Sequence, residues 1–186
     1  MAGTLLCAAA ITGGEVRLSN VVPQHVGSTL SKLREGGCAI DCGEGMVHLS
    51  APPRLSEIKL IETLPYPGFP TDMQAPFFAL ATVAEGTCVV VENVFENRFK
   101  HGPELMRMGA VYTQKDRTAV IRGVENLTGT QVTARDLRGG AALTIAGLKA
   151  RGVTTVYGAE LIDRGYEALD AQLRALGAHI TREESL

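Results

Sequence analysis

The 186-residue sequence has no tryptophan, only 5% aromatic residues, and no surplus of positive charge: 18 lysines and arginines stand against 20 aspartates and glutamates, a formal charge of -2. Without a basic surplus, neither nucleic acid nor an anionic membrane is expected as a partner. Long hydrophobic runs are also missing. The apolar stretch Thr4 to Ile11 falls far short of the roughly 20 residues that span a bilayer, and no basic leader precedes it. No export signal is read, and a cytoplasmic location is expected. Cys7, Cys38, Cys42 and Cys88 form no CxxC pair, and His25, His48, His101 and His179 make no HxxxH or HExxH spacing. The expectation is reduced, mostly buried thiols, no metal and no cofactor.

What is present is 45% hydrophobic content, in a chain long enough to bury roughly 70% of its unfolded surface as a single domain over residues 1–186. A pattern recurs at about 70 residues: an apolar helix ending at glycine, a β-rich run, a second amphipathic helix, then Leu-x3-Gly and another strand. In the first copy, Gly3 to Ile11 reads as helix, Glu15 to Val21 as strand and Ser28 to Leu33 as helix before Gly37-Cys38-Ala39-Ile40. In the second, the same roles fall to Met73–Ala84, Thr87–Val94 and Pro103–Met108 before Gly109-Ala110-Val111. In the third they fall to Gly140–Ala150, Val153–Tyr157 and Tyr166–Leu176 before Gly177-Ala178-His179-Ile180. Helices too apolar to face water on any side point to a central helical layer wrapped by sheets. The fold class expected is α/β with repeated helix-strand units and pseudo-threefold symmetry.

The repeat also shows where chemistry can collect. In Pro67-Gly68-Phe69-Pro70-Thr71-Asp72-Met73-Gln74-Ala75, Pro70 biases Phe69 away from helical angles, and Thr71 or Asp72 can cap the apolar helix that follows. Asp72 is then either a plain N-cap or a functional acid at a helix mouth. It stands at the same offset before Gly86 as Arg138 does before Gly152, while Arg98 and Arg164 occupy comparable loops ahead of the second helices. Taken singly, each arginine reads as a solvated charge or a salt-bridge partner. Taken together, Arg98, Arg138 and Arg164 form a rim suited to a phosphate or carboxylate. The glycines of Asp136-Leu137-Arg138-Gly139-Gly140 are expected to let a ligand approach the backbone.

Four motifs in this order, Phe69-Pro70-Thr71-Asp72-Met73-Gln74-Ala75, Phe95-Glu96-Asn97-Arg98-Phe99, Asp136-Leu137-Arg138 and Asp163-Arg164-Gly165-Tyr166-Glu167, together resemble the UDP-N-acetylglucosamine 1-carboxyvinyltransferases, a family of enolpyruvyl transferases. The resemblance covers essentially the whole chain but matches only the C-terminal half of a typical member. It implies an inside-out α/β barrel domain. The implied reaction moves enolpyruvate from phosphoenolpyruvate to the 3-hydroxyl of UDP-N-acetylglucosamine, with loss of phosphate, in peptidoglycan precursor synthesis. Asp72 would contact the sugar hydroxyl as base, Val94 and Phe95 would line the UDP-sugar site, and Arg98, Arg138 and Arg164 would face phosphoenolpyruvate. Asp136 would stand in the proton-transfer region, and Asp72, Asp136 and Arg164 form the implied catalytic set.

The family's lysine-asparagine pair and loop cysteine lie in the half without a counterpart here, and none of the four cysteines stands in that cysteine's motif. The resemblance therefore implies that a complementary N-terminal half is needed as partner for activity. The alternative is a noncatalytic truncated remnant or anion-binding module. A related transferase acting on shikimate 3-phosphate shares fold and chemistry, but the motif set here is of the sugar type.

Overall fold

A computed structural model describes residues 1–183. Its interior is made of three helices, α1 (Ala2–Thr12), α3 (Gln74–Ala81) and α5 (Leu137–Lys149), each packed against the other two. All eight residues of α3 are buried, and α1 buries every residue from Gly3 to Ile11 except Ala9. Helices α1 and α3 have no polar stripe and so no face for water, and α5 sets its buried residues, such as Ala142, Leu143 and Ala146, with them in one core. Small residues such as Ala10, Ala79, Ala141 and Ala142, all at most 1% exposed, let the helices approach closely.

Three sheets lie outside this core. The first has the order β1 (Glu15–Ser19), β3 (Met46–Ser50), β2 (Ala39–Gly43), all antiparallel. The second has the order β4 (Leu60–Glu62), β5 (Thr87–Val91), β7 (Thr118–Arg122), β6 (Val111–Lys115), with β4 parallel to β5 and the rest antiparallel. The third pairs β8 (Gln131–Thr133) with β9 (Thr155–Tyr157) in parallel. Burial alternates along β1 and β7, so one face of each meets the helices and the other meets solvent. No sheet closes on itself among the described residues.

The second helices are α2 (Gly27–Glu35), α4 (Gly102–Arg107) and α7 (Leu169–Ala175), with α6 (Ala159–Asp163) added before the last. The three Leu-x3-Gly turns close alike. Gly37, Gly109 and Gly177 take φ of 91°, 95° and 96°, and the next residue's N–H donates to the carbonyl of Leu33, Leu105 or Leu173 at 3.0 Å each time. Glycine is needed there because a side chain strains the left-handed region.

Two expected elements differ. The strand expected at Gly177-Ala178-His179-Ile180 does not form, because no described strand lies alongside it to complete a ladder. Nor does one helix run from Tyr166 to Leu176. Tyr166 sits in a turn, fully buried, and α7 begins only at Leu169, while Leu176 past its end is 49% exposed. Tyr166 is claimed by the core instead, its hydroxyl 3.0 Å from Thr4 Oγ1 on α1.

Candidate active site

Pro70 is extended, with ψ at 136°, and Thr71–Met73 make a single tight turn ahead of α3. Neither Thr71 nor Asp72 caps the helix through its side chain, which corrects the N-cap reading. The Asp72 carboxylate is used elsewhere. Its Oδ2 accepts from Arg138 Nη2 at 2.6 Å, and its Oδ1 lies 3.6 Å from Arg98 Nη2. One acid thus stands between two guanidiniums, leaving the trio with one net positive charge.

Each arginine is held by an aromatic ring. The Arg98 guanidinium lies over Phe95 at 4.6 Å from the ring centre, and that of Arg138 over the buried Tyr166 at 5.1 Å. Asn97 bends the first of these loops with φ at 55°, a left-handed conformation that asparagine tolerates better than most residues. Arg98 and Arg138 keep 22% and 21% of their side chains exposed, and Asp72 51%. A pair this wet contributes little to folding, at most about 1 kcal/mol. Its arginines can therefore exchange Asp72 for an incoming anion at small cost.

Asp136 is the N-cap of α5, its Oδ1 accepting from the Gly139 N–H at 2.7 Å. The two glycines behind it do not open the backbone to a ligand as expected. A Cβ on Gly140 would lie 2.6 Å from Ile162 Cγ1 and 2.9 Å from Ala134 Cβ, so close packing of α5 against α6 is what excludes a side chain there. Val94 and Phe95 are 42% and 49% exposed on the loop after β5. Arg164 ends α6, exposed, its side chain in no hydrogen bond or ion pair among the described residues. The fold thus brings Asp72, Arg98, Arg138 and Phe95 together, sets Asp136 at the start of the helix that carries Arg138, and leaves Arg164 out of the ion-pair cluster.

Three buried polar residues escaped the reading of the sequence. Glu92, 0% exposed, accepts the N–H groups of Val94 and Phe95. His101, 2% exposed, stacks edge-on against Phe78 at 4.8 Å, and neither of its ring nitrogens has a partner among the described residues. Desolvation pushes its pKa down to about 4, with Asp136 opposing and Arg98 assisting. Gln74, 0% exposed, likewise leaves both amide atoms unpartnered. An acid closing a run of three valines was the one available signal for Glu92; His101 and Gln74 carry none. No group of three His, Cys, Asp or Glu side chains that could hold a metal occurs among the described residues, and no helix there is long and apolar enough to cross a membrane.

The family model of EPSP synthase (3-phosphoshikimate 1-carboxyvinyltransferase) matches residues 1–184. Among curated proteins, UDP-N-acetylglucosamine 1-carboxyvinyltransferase from Myxococcus xanthus is 51% identical over 184 residues, covering 99% of this chain and 44% of that protein. UDP-N-acetylglucosamine 1-carboxyvinyltransferase 2 from Caldanaerobacter subterraneus subsp. tengcongensis is 50% identical over 182 residues, covering 98% and 44%. UDP-N-acetylglucosamine 1-carboxyvinyltransferase from Desulfofundulus thermocisternus is 51% identical over 181 residues, covering 97% of this chain and 74% of that protein. Among solved structures, the enolpyruvyl transferase NikO from Streptomyces tendae superposes with a TM-score of 0.85 at 27% identity, over 97% of this chain and 43% of that one. EPSP synthase from Acinetobacter baumannii shares the fold, with a TM-score of 0.74 at 19% identity and coverage of 97% and 43%. This chain thus spans less than half the length of the first two relatives. Matched from one end to the other, the chain belongs to the EPSP synthase family, among its UDP-N-acetylglucosamine 1-carboxyvinyltransferases.

Proposed function

We propose that this chain forms one wall of a site that transfers enolpyruvate from phosphoenolpyruvate to the 3-hydroxyl of UDP-N-acetylglucosamine, in the cytoplasmic synthesis of peptidoglycan precursors. The observation that carries the reading is Asp72 held between Arg98 and Arg138. In the overall reaction the sugar oxygen bonds to C2 of phosphoenolpyruvate, the bond from C2 to the phosphate oxygen breaks, and the hydroxyl proton leaves with phosphate. Asp72 orients the hydroxyl and takes its proton. Arg98, Arg138 and Arg164 bind the phosphate and carboxylate, forked guanidiniums being matched to both. Asp136 serves proton transfer with the oxygen its capping bond leaves over, and Val94 and Phe95 line the nucleotide sugar.

We infer further that the three helix-and-sheet units are related by an approximate threefold axis, as parts of an inside-out barrel. The matching Leu-x3-Gly turns support this. Activity requires the portion of the relatives that this chain does not match, because positioning two substrates needs both walls of a cleft.

The test is phosphate release from phosphoenolpyruvate and UDP-N-acetylglucosamine, by the chain alone and mixed with the unmatched portion of a relative. Release only on mixing, abolished by Asp72→Ala, is the expected result. Release by the chain alone overturns the need for a second wall. No release from two folded partners favours the noncatalytic anion-binding module.

A further inference from the structure

Strand β5 runs through Val89, Val90 and Val91, and the next residue is an acid, Glu92, at 0% exposure. A buried carboxylate is costly unless its oxygens are satisfied. Here one oxygen, Oε1, accepts from the Thr63 hydroxyl at 2.8 Å, the Val94 N–H at 2.9 Å and the Phe95 N–H at 3.1 Å. The other, Oε2, accepts from the Thr71 hydroxyl at 2.9 Å. Thr63 is itself fixed, since its hydroxyl oxygen also accepts from the Asn93 N–H at 2.8 Å.

These donors come from three separate segments, and two of them carry the site. Thr71 immediately precedes Asp72, while Phe95 is the ring on which Arg98 rests. The carboxylate is planar and rigid, so the oxygen that holds the Asp72 turn and the oxygen that holds the Arg98 loop cannot move independently.

We propose that Glu92 is a positioning residue: its two oxygens register the turn bearing Asp72 against the loop bearing Val94, Phe95 and Arg98. The catalytic part of this inference rests on the proposed enolpyruvyl transfer; the structural coupling does not. Replacing the carboxylate by an amide keeps the shape but turns one side into a donor, so the Thr71 contact must reverse or break.

The coupling is read in the chain alone by amide NMR. Glu92→Gln is expected to shift the resonances of both Asp72 and Arg98 and to speed exchange at the Val94 and Phe95 amides about tenfold, as charge-assisted bonds become neutral ones. Thr71→Val cuts only the Oε2 link. It is expected to shift Asp72 and Arg98 while leaving exchange at Val94 and Phe95 unchanged, and Thr71→Ser restores the shifts. A perturbation confined to the mutated segment overturns the proposal.

In the reconstituted mixture, Thr71→Val is expected to lower kcat about tenfold, as for loss of one charge-assisted contact. KM for phosphoenolpyruvate stays within about twofold, the melting temperature is retained, and Thr71→Ser rescues. A folded Thr71→Val protein with unchanged kcat overturns the catalytic part. A wild-type mixture without turnover overturns the proposed function and with it that catalytic part, while the NMR result stands or falls separately.

Discussion

Asp72 and Arg138, 66 residues apart in the chain, meet at 2.6 Å between Oδ2 and Nη2. The contact joins the turn before α3 to the first turn of α5, and Arg98 reaches the same carboxylate from a third segment. Because all three side chains keep water contact, the cluster is inexpensive to rearrange, as the proposed exchange of Asp72 for a substrate anion requires.

Arg138→Lys tests that use. The single ammonium cannot form the forked contact or lie flat on Tyr166, so kcat/KM for phosphoenolpyruvate in the reconstituted mixture is expected to fall about 100-fold. The melting temperature should move by only a few degrees, consistent with a pair worth about 1 kcal/mol or less. A large loss of stability with little loss of activity would reverse the assignment.

His101 predicts a pH dependence. Its folded pKa, about 4, lies below the ordinary value of 6.5, so between these two values the unfolded chain holds more protons than the folded one. Stability from this group is complete above pH 6.5 and is lost as pH falls. The loss amounts to about 2 kcal/mol between pH 7 and pH 5. Urea unfolding at the two pH values checks this, and His101→Leu should remove most of the difference.

The thiols predict selective labelling. Burial pushes Cys38 up to about 11 and Cys88 up to about 12, and raises Cys7 well above its ordinary value, whereas Cys42 is exposed on β2. A disulfide reagent at pH 8 should therefore modify one thiol rapidly in the native protein and all four in denaturant. Cys42→Ser should abolish the rapid phase.

Gly123 predicts a steric limit. A Cβ there would stand 1.7 Å from the Ala84 carbonyl oxygen, which belongs to backbone and cannot swing aside. Gly123→Ala is expected to cost about 3 kcal/mol in a urea titration. Gly27→Ala, whose Cβ meets nothing within 4 Å, should cost nothing measurable.

Much of the architecture was legible in advance because it is written in local patterns. Ala2–Thr12 and Gln74–Ala81 are apolar on every side, which makes their burial a property of composition rather than of packing detail. The Leu-x3-Gly turns are equally local, since the bonds that close them span a few residues. The expected strand at residues 177–180 was not decidable this way, because a strand exists only if a neighbour pairs with it.

The candidate site divides along the same line. From residue types and local pattern alone, the sequence determined that Asp72 stands ahead of α3, Arg98 ahead of α4 and Arg138 at the start of α5, and that the central helices must be inside. Tertiary structure alone decided that Asp72 spends its carboxylate on two guanidiniums rather than on capping α3, that Arg164 makes no ion pair with it, and that Glu92 bonds to both the turn and the loop. Helix formation and burial depend on neighbours a few residues away, which any stretch of sequence displays. Which of several competing donors a carboxylate accepts depends on distances set by packing segments far apart in the chain, and these come into being only when the core closes.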